Sequence, residues 1–188
     1  MRLTKVRLAP ILVALTLAIA GCGSSSSSSS SSGVSAAAYV KSVCGTLANW
    51  KSDVTGAASK LQTASSAAKT LAEGKQQYVV FVTSLVAATG KAASGLQAAG
   101  IPNVTGGKQG ATTLSQAFTK ASTSLAGTIA KAKAIPTTSA AAYQAAASGV
   151  SNQFKSSLNS LASASPKRND ALKAAAAKDP TCKALNAG

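Results

Sequence analysis

The sequence predicts an all-α protein, an antiparallel four-helix bundle with a short C-terminal fifth helix. Apolar residues recur at alternating steps of three and four over four segments, which places them on one side of a helix. Proline and glycine separate these segments. No segment of useful length alternates apolar and polar residues as a strand does. Four amphipathic segments joined by short turns favour an antiparallel bundle.

Each of the first four predicted helices carries one apolar stripe, which contains alanine as well as large residues. On the first two helices the stripes are Val40, Val43, Leu47, Trp50, Val54, Ala57 and Leu61, and Tyr78, Val82, Leu85, Thr89, Ala92, Leu96 and Ala99. On the next two they are Ala111, Leu114, Phe118, Ala121, Leu125, Thr128 and Ala132, and Tyr143, Ala147, Val150, Phe154, Leu158 and Leu161. Regularly placed large residues distinguish these segments from an alanine-rich disordered chain, yet the core is expected to be thin.

The breaks between the first four helices follow from residue chemistry. The first helix ends either at Glu73-Gly74 or earlier, by fraying at Ser65-Ser66. The segment 100–107 contains Pro102 and two paired glycines, so it predicts the turn between the second and third helices. Ile135-Pro136 ends the third helix, and Thr138 or Ser139 is suited to cap the fourth.

The fifth helix is predicted at residues 167–178. Ser165-Pro166 has the pattern of an N-cap followed by a proline in the first helical position. Asp179-Pro180 is expected to end this helix.

The N-terminus has the organisation of a secretory signal. Arg2, Lys5 and Arg7 precede an apolar run over residues 8–20, which is shorter than the roughly 20 residues that a membrane-spanning helix needs. The run ends in Ile19-Ala20-Gly21-Cys22, which resembles the lipobox of bacterial lipoproteins. That resemblance implies cleavage before Cys22, a diacylglyceryl group on its sulfur, and retention at the outer face of the plasma membrane.

Two other interpretations of Cys22 stay open, an ordinary cleavage site beside a chance cysteine and a cysteine in a buried helix. A run of serines, Ser24 through Ser32, follows and predicts a flexible tether. The predicted organisation is therefore a signal peptide at 1–21, a lipidated cysteine and tether at 22–33, and a helical domain at 34–188. The lipobox, serine tether, alanine-rich helices, Gly-Ile-Pro turn and C-terminal Pro-Thr-Cys together resemble small alanine-rich lipoproteins of actinobacteria.

Two cysteines remain once Cys22 is assigned to lipid. An even number of cysteines in an exported protein favours a disulfide, here between Cys44 and Cys182. It would join the first helix to the C-terminal segment and contribute about 4–5 kcal/mol in the chain-entropy account. The alternative is a pair of free buried thiols.

The predicted mature chain is strongly basic. Removing Arg2, Lys5 and Arg7 from 19 basic residues leaves 16 against four acidic residues, a net charge of +12. We expect such a domain to contact anionic lipid headgroups, anionic wall polymers or a protein partner, unless the charge only keeps it soluble. The residues proposed for that contact form one local cluster, Lys167, Arg168, Lys173, Lys178 and Lys183.

The composition argues against catalysis and against bound cofactors. The chain has no histidine and only Asp53, Glu73, Asp170 and Asp179 as acids, so the usual general acid–base groups are scarce. We expect no cofactor and no metal, since no phosphate cradle or zinc-ligand spacing is present. No nucleic-acid partner is expected, because the aromatic residues lie on or beside the core stripes and are not interleaved with the lysines. The alternative function is a carrier or sensor that binds a small apolar ligand between its helices.

Overall fold

The computed structural model describes residues 33–163 and 169–187, and it is all-helical over these residues. Its helices are α1 (Ala36–Ala67), α2 (Leu71–Ala98), α3 (Gly107–Lys133), α4 (Ala140–Ser163), α5 (Asp170–Lys178) and α6 (Pro180–Asn186). The prediction of an all-α class is confirmed. The predicted signal peptide, Cys22 and the serine tract lie outside the described residues, as do Ser165, Pro166, Lys167 and Arg168.

The longer helices pack in chain order. α2 packs against both α1 and α3, and α4 packs against α3. α5 and α6 pack on α1, so the C-terminal segment returns to the first helix.

The break between α1 and α2 lies where neither proposed break was placed. α1 continues past Ser65-Ser66 to Ala67, and α2 begins at Leu71. Glu73 and Gly74 lie inside the first turn of α2, where the Glu73 carboxylate accepts from the backbone N–H of Thr70 at 3.2 Å. Thr70 in turn accepts from the Glu73 N–H at 3.2 Å. This reciprocal capping box starts α2, so Glu73 belongs to a helix start and the predicted helix end at Glu73-Gly74 is wrong.

The C-terminal region differs from the prediction in two ways. α5 begins at Asp170, because the Asn169 side chain accepts from the Leu172 N–H and the Asn169 backbone is extended. Asp179-Pro180 ends α5 as predicted, but it also starts α6, a helix that the sequence analysis missed. The Asp179 carboxylate caps the N–H groups of Thr181 and Cys182, and proline suits the first helical position because it needs no N–H partner there.

The predicted turn between α2 and α3 is confirmed. It is hydrogen-bonded to the start of the described chain. Gly100 and Gly106 have φ of +79° and +71°, a left-handed conformation that favours glycine. The Val34 N–H donates to the Ile101 carbonyl at 2.9 Å, and the Asn103 N–H donates to the Val34 carbonyl at 2.8 Å. The Asn169 side chain donates to the Thr105 carbonyl at 2.9 Å, so the start of α5 is attached to the same turn.

The core contains few large side chains, and the largest of them meet where three helices pack. Trp50 of α1 lies edge-on to Phe118 of α3, with ring centroids 5.4 Å apart. Its indole N–H donates to the hydroxyl of Thr89 of α2 at 3.3 Å, so the buried polar atoms of both residues are satisfied. The predicted stripes of α2 and α3 are buried almost throughout, whereas most of the α4 stripe is half-buried.

Gly95 lies at a close approach of α1 and α2. A Cβ atom at this position would lie 2.8 Å from the methyl and hydroxyl atoms of Thr46. At Gly56 of α1, by contrast, a Cβ atom would meet nothing within 4 Å. The two glycines therefore occupy helices for different reasons, and only Gly95 is required by packing.

Gly56→Ala and Gly95→Ala are expected to change stability in opposite directions. An exposed helical Gly→Ala change stabilises by about 1 kcal/mol, which applies to Gly56. At Gly95 the clash with Thr46 offsets that gain, so we expect a net loss of about 1–3 kcal/mol in urea unfolding. In a Thr46→Ala background the Gly95→Ala change is expected to become neutral or stabilising. Equal effects at both glycines would contradict the close approach.

Candidate functional site: the basic face of α3 and α4

Three of the four acidic residues lie at helix starts. Glu73 caps α2 and Asp179 caps α6. Asp170 lies in the first turn of α5, where a negative charge is favourable, and Asp53 is exposed on α1. No three His, Cys, Asp or Glu side chains among residues 33–163 and 169–187 are placed to hold a metal ion.

Burial raises the pKa of all three tyrosine hydroxyls. Burial raises the pKa of the Tyr39 hydroxyl above its usual value. Burial also raises the pKa of Tyr78, against the opposing effect of a hydrogen bond with Ser151, whose hydroxyl lies 2.9 Å away. The pKa of Tyr143 is raised by burial first and by its neighbour Tyr78 second. A raised pKa keeps these hydroxyls protonated at neutral pH, which is unfavourable for a nucleophile or a general base.

The disulfide expected from the cysteine count is present in the structure. Cys44 of α1 and Cys182 of α6 are joined, with their Cα atoms 5.2 Å apart and 138 positions apart in sequence. Cys182 is buried in the cluster that also contains Tyr39, Val40 and Val43. The bond therefore fixes the C-terminal segment to α1 within a thin core.

The predicted basic cluster is only partly within the described residues. Lys173 is half-buried on α5, and Lys178 and Lys183 are exposed in the last turns of α5 and α6. There each lysine complements the negative end of its helix dipole. Asp170 and Asp179 belong to the same segment, so the three described lysines face two acids nearby in sequence.

The largest uncompensated positive charge lies instead on α3 and α4. Residues 74–169 contain no aspartate or glutamate at all. α3 and α4 carry five lysines between them, and all five are exposed. They are Lys108, Lys120, Lys131, Lys133 and Lys155, of which Lys120 and Lys131 lie on one side of α3 and Lys108 and Lys133 on the other. The predicted cluster grouped lysines that are close along the chain, so it did not include the side of α3 with Lys120 and Lys131, whose signal is the absence of acids.

A groove of about 440 Å³ runs between α3 and α4 on this face. Its lining is mostly hydroxyls and amides, including Gln116, Ser124, Gln153 and Ser160, with Lys120 as the charged residue. Ser124 and Ser157 hydrogen-bond across it at 3.1 Å. The Lys131 ammonium donates to the Gln153 side-chain oxygen at 2.7 Å, which places a positive charge beside the groove.

The exposed outer side of α4 adjoins the groove. It shares Ser156 and Ser160 with the groove and adds Lys155, Asn152 and Asn159. The groove and this side of α4 together present lysines of both helices and many hydrogen-bonding groups. Such a surface is chemically suited to anionic ligands that also carry hydroxyl groups.

Among the described helices, α2 is long and apolar enough to cross a membrane by length and composition alone. In the structure it packs between α1 and α3, and it contributes Val82, Leu85 and Leu96 to the core. Core helices of soluble proteins pass the same length and composition test, so this is weak evidence for a membrane span.

Comparison with protein-family models, with curated proteins and with solved structures finds no match for this chain. The chemistry and geometry of its own residues therefore carry the functional argument.

We expect the Cys44–Cys182 bond to contribute substantially to stability. The chain-entropy account gives about 4–5 kcal/mol for a loop of this length. Urea unfolding of Cys44→Ser/Cys182→Ser is therefore expected to show a loss of about 2–5 kcal/mol. Reductant should lower the free energy of unfolding of the wild-type protein by the same amount and increase its mass by two hydrogens. Alkylation of both thiols without reductant would show that the bond does not form in solution.

Proposed function

We propose that this protein is a lipid-anchored, non-catalytic component of a bacterial cell envelope, whose basic helical domain binds anionic envelope polymers at the outer face of the plasma membrane. The observation that carries the proposal is the net charge of +12 that remains when Arg2, Lys5 and Arg7 are removed from 19 basic and four acidic residues. A domain with this charge beside a membrane attracts polyanions.

The distribution of charge supports this proposal. Lysines are exposed on α1 through α6, so ligand contact would require little rearrangement of the fold. Because lysine acts as a hydrated point charge rather than a planar fork, it suits repeated contacts with a flexible polymer more than recognition of one small ligand.

The proposed anchor is consistent with the way the described chain begins. A diacylglyceryl group has two acyl chains, which is enough for stable membrane attachment. Gly33 and Val34 follow the serine tract, and Val34 is hydrogen-bonded to the α2–α3 turn. A tether of 11 residues, 23–33, has a typical reach of roughly 18 Å. The anchor would therefore hold the α2–α3 turn near the lipid surface, with the exposed side chain of Ile101 beside it.

The proposed architecture is an antiparallel four-helix bundle of α1–α4 with α5 and α6 attached to α1. The packing of α2 on α1 and α3, and of α4 on α3, supports it. The alternative, a carrier or sensor of a small apolar ligand, would need an apolar space between helices. The charged and hydrogen-bonding residues of the α3–α4 groove favour an anionic ligand over it.

The lipid anchor is tested by mass spectrometry of protein expressed in a bacterium. The membrane fraction is expected to contain a chain that begins at Cys22 and carries a diacylglyceryl group. Cys22→Ala should abolish both the modification and the membrane association, whereas Ser24→Ala should leave both unchanged. Recovery of an unmodified chain from the wild-type membrane fraction would contradict this part of the proposal.

Polymer binding is tested by co-sedimentation of the full chain, in a non-ionic detergent, with delipidated cell-wall fragments over a series of salt concentrations. We expect binding at low salt that weakens steadily as salt rises, because exposed charges are screened. Wall fragments from which the anionic polymers have been extracted serve as the control. Binding that is independent of salt or of the extracted polymers would contradict an electrostatic role.

A further inference from the structure

We propose that the groove between α3 and α4 is the binding site for the polymer, and that its ligand is a chain of polyol phosphates, in which phosphodiesters alternate with hydroxyl-bearing carbons. This inference rests on the proposed function and assigns it to one face of the domain. Three features of the face lead to it, namely its charge, its hydrogen-bonding groups and its length.

The first feature is positive charge without nearby carboxylates. Lys120 lines the groove, Lys131 is held beside it by Gln153, and Lys155 is exposed on the adjoining outer side of α4. Neither helix contains an acid, so an anionic ligand would meet no negative side chain from α3 or α4. On α1 and α5, by contrast, Asp53 and Asp170 are on the same helix as the lysines.

The second feature is the density of hydroxyl and amide groups between the lysines. Gln116, Ser124 and Ser160 all contribute to the groove and are exposed. Such groups donate to and accept from alcohols, whereas a ligand made only of phosphate offers acceptors. The groove has no aromatic lining residue on which a sugar ring could stack, which favours an open-chain polyol.

The third feature is length. Lys120 and Lys131 lie on one helix and are separated by 11 positions, about 16 Å at the α-helical rise. One phosphate group is too small to reach both. A ligand that contacts both lysines must therefore extend along the groove. Its affinity should increase with the number of polyol-phosphate repeats.

The decisive experiment measures binding of poly(glycerol phosphate) to the full chain in detergent, with two charge-matched triple variants. K120Q/K131Q/K155Q removes three lysines of the groove face. K41Q/K51Q/K60Q removes three exposed lysines of α1 and gives the same net charge. At about fivefold per lysine, we expect the groove variant to lose roughly 100-fold in affinity and the α1 variant less than threefold.

A second pair of variants tests the hydroxyl and amide contacts without changing charge. Q116A/S160A is expected to weaken poly(glycerol phosphate) binding about tenfold and to leave binding of inorganic polyphosphate unchanged. Q62A/S59A alters exposed residues of the same types on α1 and should affect neither probe. Circular dichroism establishes that each variant is folded.

The outcomes separate this inference from the function on which it rests. Equal losses for the two triple variants would overturn the groove and leave the electrostatic role in place. Full competition by monomeric glycerol phosphate would overturn an extended site. Binding is also measured to mixed micelles that contain phosphatidylglycerol. If removing the groove lysines weakens binding to these micelles more than binding to the polymer, the glycerol phosphate comes from a lipid headgroup, and the polymer assignment is overturned. No binding of wild-type protein to any polyanion would overturn both proposals.

Discussion

An alanine-rich core requires its helices to lie close together, and the rest of this structure depends on that approach. Alanine provides little apolar area, so adjacent helices must come close enough for backbone and Cβ atoms to make contact. Gly95 against Thr46 is such a contact between α1 and α2. Trp50 and Phe118 meet where three helices pack, and a hydrogen bond to Thr89 orients the indole.

A core with so few large side chains gains from covalent and terminal restraints. The disulfide joins α1 to α6, and Cys182 is itself buried in the larger apolar cluster. At the same end of α1, Val34 is bonded to the α2–α3 turn, and Asn169 is bonded to Thr105 of that turn. Both ends of the described chain are thus attached to one region, which limits fraying where a short domain is usually weakest.

The spacing of apolar residues predicted the helices well, because the buried residues of α2 and α3 recur at steps of three and four. That spacing can be found within one segment of the sequence, without knowledge of its neighbours. Thr89 and Thr128 were predicted to face inward and are buried there. The errors arose where one residue type serves two purposes. Glu73-Gly74 suggests a break by composition, but Glu73 caps the helix; Asp179-Pro180 ends one helix and starts the next. The α3–α4 groove was not predicted, because it depends on which faces of two separate helices meet.

The scarcity of acids links the folding of this chain to its surface chemistry. Three of the four acidic residues lie at helix starts, where they cap backbone N–H groups or complement the helix dipole. α3 and α4 begin without acids, α3 at a pair of glycines and α4 with the Ser139 hydroxyl accepting from the Ala142 N–H. Using neutral groups at these two starts keeps the whole α3–α4 layer free of negative charge. An acidic cap there would stabilise the helix by about 1 kcal/mol or less and would weaken the attraction of this face for anions.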